Sequence, residues 1–200
     1  MRLTTALYGV LAASFLVSPA HAGSCLSGTI TNEPAQDPEF EGLTKYTVEL
    51  TWDVTGFSTP SHFDLFLALE TCDCICDGNV ILFPAPAGTS TGSGPSGPCT
   101  VTYEGMFECD GDPSLPGDMR PTVKWEVPEQ ECEPDETGSA TFCFYSFLDP
   151  TGDENTVSAA GIKHGTDFCE GTLTGPRPDC TCFVSVDPAT WGKIKNVYRP

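Results

Sequence analysis

The segment LETCDCICDGN sets Cys72, Cys74 and Cys76 at alternate positions beside Asp73 and Asp77. In an extended strand all three thiols project from one face, because side chains alternate along a strand. Soft thiolates gathered in this way suit copper(I) or zinc, and Cys180 and Cys182 in DCTCF have the same spacing. Structural zinc signatures, however, separate their ligands by two to four residues, and neither cluster has a histidine at ligand spacing. Cysteines two apart would also close a strained ring if they bridged each other. Each therefore expects a disulfide partner from elsewhere in the chain, and the bridge candidates are Cys25, Cys72, Cys74, Cys76, Cys99, Cys109, Cys132, Cys143, Cys169, Cys180 and Cys182.

The compartment supports bridges over thiolates. Residues 1–22 carry Arg2, an apolar run from Ala6 to Val17 and then Ala20-His21-Ala22, a small-x-small cleavage pattern. The expected product is secreted, extracellular or at the cell surface, beginning near Gly23, with no later run long enough to span a membrane as a helix. Eleven cysteines cannot all pair within one chain. Cys25, just after the leader, draws attention as the odd one. A lipid-attachment site there would want an apolar run reaching closer to the cysteine, and Pro19, His21 and Ala22 intervene.

Hard cations are the next chemistry to consider. DPTGDEN offers Asp149, Thr151, Asp153 and Asn155 at alternate positions as oxygen ligands, making calcium the one cofactor the chain suggests. CDGDPSLPGD offers Asp110, Asp112 and Asp118. Neither follows the EF-hand spacing, since Glu154 stands where that loop needs glycine, and solvated acidic turns are the simpler reading of both. No catalytic residue is assigned. The chain has no G-x-S-x-G elbow and no H-E-x-x-H helix, and of its three histidines only His62 and His164 lie beyond the leader. His62, at a strand start beside Ser61, reads as a structural polar contact.

The elements that must position these groups are strands. In TKYTVELTWDV, Tyr46, Val48, Leu50, Trp52 and Val54 alternate with polar residues, the period of a half-buried strand. SHFDLFLAL and PTVKWEV repeat the alternation, and SATFCFYSFL is apolar on both faces. With CLSGTIT, NVILF, CTVTYEGMFEC and TCFVSV the count reaches about eight. Pro and Gly punctuate the intervals, so the expected fold is all-β: one antiparallel β-sandwich or jelly-roll-like domain over residues 23–187, stapled by disulfides. Residues 84–98, PAPAGTSTGSGPSGP, are uncharged and poor in anything that packs, and read as a flexible excursion bearing O-glycosylation candidates at Thr89, Ser90, Thr91 and Ser93. PEQECEPDETG reads as a solvated loop tied down by Cys132.

Charge excludes one class of partner. The net charge of −19 becomes −20 once Arg2 leaves with the leader, and a surface this acidic repels phosphate backbones, so nucleic acid is not expected. Cations, proteins or neutral polymers such as glycans remain. The tail, residues 188–200, is the exception. It holds Lys193, Lys195 and Arg199 with no acid beyond Asp187, and Trp191, Ile194 and Tyr198 fall on one face of a short helix that would dock on the acidic body.

Two resemblances add to this. The terminal W-G-x-I-K-x-x-Y-R, Trp191 to Arg199, resembles short tails on exported proteins of environmental bacteria, which implies a sorting or attachment tag. The order YTVELTWDV, SHFDLFL, PTVKWEV, ETGSATFCFYSF is similar to secreted bacterial surface β-sandwich domains that pair a Ser-His strand start with a later Lys-Trp-Glu-like strand. Those domains imply surface display. The expected function is a noncatalytic secreted or cell-surface structural or binding module. A calcium-dependent adhesive or glycan-binding module is the alternative, and a secreted hydrolase using a carboxylate pair comes third.

Overall fold

The computed structural model describes residues 24–67 and 81–179. Residues 1–23, which include the expected leader, together with the Cys72, Cys74 and Cys76 cluster, Cys180, Cys182 and the basic tail, lie outside the described residues. Among the described residues no helix is long and apolar enough to cross a membrane.

Nine strands close into a barrel. They are β1 (Leu26–Pro34), β2 (Thr44–Asp53), β3 (Pro60–Phe66), β5 (Gly88–Gly94), β6 (Gly97–Glu108), β7 (Thr122–Glu126), β9 (Thr137–Ser146), β11 (Val157–His164) and β12 (Asp167–Thr174). The hydrogen-bonded order runs β9-β2-β1-β12-β11-β3-β7-β6-β5 and returns to β9 through the pairing of β5 with β9. Short strands β4 (Ile81–Leu82) and β8 (Glu133–Pro134) extend β9 and β5 at their margins, and β10 (Pro150–Thr151) pairs with β13 (Arg177–Pro178). The expected all-β class is present, but the sandwich or jelly roll is corrected to a closed barrel. Closure leaves no long free edge in the ring, which is how a sheet avoids edge-to-edge association.

A ring of nine strands cannot alternate direction all the way round, because nine is odd. One neighbouring pair must be parallel, and it is β1 with β12, Ser27 opposite Thr172 and Thr29 opposite Thr174. Parallel pairing is slightly less stable per residue than antiparallel. A disulfide lies at this seam, joining Cys25, just ahead of β1, to Cys169 in β12. A second joins Cys99 in β6 to Cys132, tying down the acidic loop as the sequence suggested. Cys109 is bonded as well. Cys143 is not: its thiol is free on β9, opposite Thr47, and burial pushes its pKa up. The odd cysteine of the described residues is thus Cys143, and Cys25, the candidate for lipid or an unpaired thiol, is bridged.

The interior is filled with aromatic rings. Inward positions of β2 supply Tyr46, Val48, Leu50 and Trp52, as the alternation requires, and β3 supplies Phe63 and Leu65. Phe142 of β9 stands at the centre, stacked on Trp125 at 4.7 Å between centroids and edge-on to Tyr103 at 5.0 Å. Residues 88–94, expected as part of a flexible excursion, are the strand that closes the barrel. Their inward positions are Gly88, Ser90 and Gly92, with Ser90 Oγ 2.9 Å from the buried Tyr103 hydroxyl, so Ser90 is unavailable to a glycan. A Cβ on Gly88 would strike the Phe142 ring, and one on Gly92 would strike Val101 and the Glu133 carbonyl. Small residues are required here because the neighbouring strands fill the space.

Candidate functional site

On the outer face of β3, His62 and Asp64 point away from the interior positions of Phe63 and Leu65. Lys124 of β7 is directly opposite Asp64, and Gly161 of β11 flanks it on the other side. The segment between β6 and β7 folds over this patch. Gly111, at φ +85°, takes a backbone conformation that favours glycine and lies too close to the Asp118 carbonyl for a side chain. The turn then continues through a Leu115 N–H donating to the Asp112 carbonyl at 2.9 Å. Farther along, the Arg120 guanidinium binds Asp118, reaches Glu170 of β12 at 2.7 Å and lies 3.6 Å over the Phe66 ring. The loop is clamped to the barrel at that end, and Asp112 is delivered onto the face of β3.

The result is a buried charged cluster. His62, Asp64, Asp112 and Lys124 are only 4, 1, 2 and 7 % exposed. His62 Nε2 lies 2.8 Å from Asp112 Oδ2 and 3.5 Å from Asp64 Oδ2. The Ser114 hydroxyl donates to Asp112 Oδ2 at 2.6 Å, and Lys124 Nζ approaches Asp112 Oδ1 at 3.4 Å. Ser61 Oγ faces His62 Nδ1 at 3.4 Å. Asp112 is therefore well supplied with donors, whereas neither oxygen of Asp64 has a hydrogen-bond partner.

The protonation states follow from these surroundings. Burial, reinforced by Lys124, lowers the His62 pKa to about 4, so the ring is neutral at pH 7. Hydrogen bonds from Ser114 overcome desolvation at Asp112 and hold its carboxyl below the usual range. At Asp64 desolvation wins, helped by the Asp112 charge, and its pKa is pushed up to about 8. A carboxyl whose folded pKa exceeds its unfolded value binds more protons in the native state across that interval, so stability falls as pH rises from about 4 to about 8. His62, whose pKa is lowered, works in the opposite sense between about 4 and 6.5, so in EDTA-containing buffer we expect the urea midpoint of the wild-type chain to decline mainly between about pH 6.5 and 8, and Asp64→Asn to remove that decline.

A different surface lies across the barrel. Outward positions of β1, β2, β9, β5 and β6 form rows in register: Thr29, Glu49, Thr141, Thr89 and Thr102 in one, and Ser27, Thr51 and Ser139 in another. Thr174 extends the first row and Thr172 the second through the parallel seam. Thr31, Thr47, Thr91 and Thr100 fill neighbouring positions. Glu49 is the one charge in either row, in a chain that is strongly acidic overall. Hydroxyl groups recur at about 4.8 Å across strands and roughly 6.7 Å along them.

Of the sequence-derived calcium ligands, Asp153 and Asn155 occupy the turn after β10. Asp153 Oδ1 accepts from the Asn155 N–H at 2.9 Å, Thr156 Oγ1 accepts from the Asp153 N–H at 2.8 Å, and Asp149 and Thr151 are spread along the β10–β13 pairing. Asp110 is exposed at its turn, but Asp112, read with it as solvated, is buried on the barrel. Among the described residues, His62, Asp64 and Asp112 are the one group of three His, Cys, Asp or Glu whose ligand atoms all lie within 4.8 Å of one another. The sequence signals for it were the His-x-Asp pair at the polar positions of an otherwise apolar strand and Asp112 among the acidic-turn candidates; nothing local joined the two. No protein-family model matches the chain, and no curated protein is significantly similar to it in sequence.

Proposed function

We propose that the chain is an exported, noncatalytic binding module that presents its threonine and serine rows to a neutral hydroxylated polymer, a glycan at or outside the cell surface. The observation that carries this is the segregation of charge. In a chain of net charge −19, six adjacent strands carry two rows of short hydroxyl side chains whose one ionised member is Glu49, the Glu33–Lys45 pair and other charges lying at their margins. Such a surface neither repels a neutral polymer nor requires a counterion, and its donors and acceptors are held on strands rather than on loops. The leader pattern and the two sequence resemblances favour the same setting. Closed aromatic packing inside the barrel leaves the outer surface as the place for recognition.

The test is retention on insoluble polysaccharides of varied linkage, measured by depletion from solution. Wild-type protein is expected to be retained without added calcium. Thr89→Glu, an exposed change costing roughly 0.5 kcal/mol or less in stability, and Thr141→Lys, at a position that faces Glu49 across the strands, should each weaken retention about tenfold. Absence of retention on every polymer, or retention indifferent to both substitutions, refutes the reading.

A further inference from the structure

We propose that His62, Asp64 and Asp112 form a binding site for a single zinc ion, seated on the outer wall of the barrel beneath the loop that follows β6. The three side chains come from two elements. His62 and Asp64 share one face of β3, and the Gly111 turn brings Asp112 over them. Tetrahedral zinc with ligands at about 2.1 Å separates its donor atoms by roughly 3.4 Å. The two separations that meet at His62 Nε2, 2.8 and 3.5 Å, bracket that value, and all three donor atoms lie within 4.8 Å.

The independent observation is Asp64. Its carboxylate is 1 % exposed, is directed at His62 Nε2, and finds no hydrogen-bond partner for either oxygen. A buried carboxylate without partners is costly, and buried charges in native proteins are paired or bind metals. Lys124, although opposite Asp64 in register, turns its ammonium toward Asp112 Oδ1 and Glu126. That leaves Asp112 Oδ2 facing His62 Nε2, where it also accepts from the Ser114 hydroxyl, itself 3.3 Å from that nitrogen. Lys163 of β11 is turned to the Thr166 carbonyl, and Arg120 is engaged by Asp118 and Glu170. The surrounding cations therefore leave the Asp64 oxygens to the centre of the cluster.

The donor set selects the metal. One imidazole nitrogen with two carboxylates is borderline in character, suited to zinc and poor for calcium or magnesium, which take oxygen ligands almost exclusively. Ser61 Oγ at His62 Nδ1 supplies the outer contact that fixes the ring of a metal-binding histidine. Three protein ligands leave the fourth position to the Ser114 hydroxyl, 3.3 Å from His62 Nε2, or to water, and zinc bound there would pin the loop to β3 at the end opposite the Arg120 clamp.

The full secreted chain is stripped with EDTA, dialysed, and titrated with zinc chloride by calorimetry and thermal unfolding, with bound metal counted by mass spectrometry. The expected result is one zinc per chain and a Tm increase of about 5–10 °C at a hundredfold excess over Kd. Asp64→Asn removes a ligand while leaving the fold intact, so its Tm in EDTA should equal or exceed that of wild type. Its zinc affinity should fall at least about a hundredfold and its zinc-induced Tm shift should vanish. His62→Gln should behave in the same way. Zinc binding unchanged in Asp64→Asn would place the ion elsewhere, for example on thiols, and overturn the proposal. So would the absence of stoichiometric binding to the wild type, or a preference for calcium over zinc.

Discussion

Replacing Cys25 and Cys169 together by serine is expected to cost about 5 kcal/mol, more than the same change at Cys99 and Cys132. The bridge closes a loop of 144 residues, and restricting the unfolded chain over that span accounts for a loss of this size. The equivalent loss at Cys99–Cys132, with a separation of 33, should be about 1 kcal/mol smaller. The two should also differ in kind. The first bridge sits on the parallel seam, where the ring would open; the second ties a loop to an already paired hairpin. Urea unfolding of both double variants, followed by tryptophan fluorescence, checks the order. Equal losses would show that loop length does not govern their contribution.

Phe142→Ala should cost about 3–5 kcal/mol, read from the urea midpoint at unchanged m. The ring touches Trp125, Tyr103 and Phe63, and the space it leaves is walled by strands hydrogen-bonded on both sides, so the surroundings have little freedom to collapse into it. Gly88→Ala should cost about 1–3 kcal/mol for the converse reason, a methyl driven into the same ring. Because the two positions compete for one volume, the double variant should be less destabilised than the sum of the singles by about 1 kcal/mol or more. Strict additivity would mean that Gly88 is small for some other reason.

These two positions also show where the fold could be read from sequence and where it could not. β2 was legible because its inward residues are large and alternate cleanly: Tyr46, Val48, Leu50 and Trp52 occupy the interior as the pattern requires. β5 was illegible for the complementary reason. Its partners fill the interior so completely that its own inward positions are Gly88, Ser90 and Gly92, a composition that imitates a linker. Without β5 the sheet has no means of closing, and a sandwich is the natural expectation. The cluster at His62 was hidden in a similar way. Asp112 stands in a run of Gly, Pro and Asp typical of solvated turns, and only the approach of that turn to β3, a contact between residues 50 positions apart, changes its environment.

The adjacency of β1 and β12 has a bearing on how the chain reaches this structure. Ser27 meets Thr172 directly, so the ring cannot be completed until nearly every strand has been made and threaded into place. Folds that depend on such distant partners acquire their native order slowly, because much entropy is lost before the joining contacts form. Oxidation of Cys25 with Cys169, at the seam that closes last, then makes the finished ring hard to reopen.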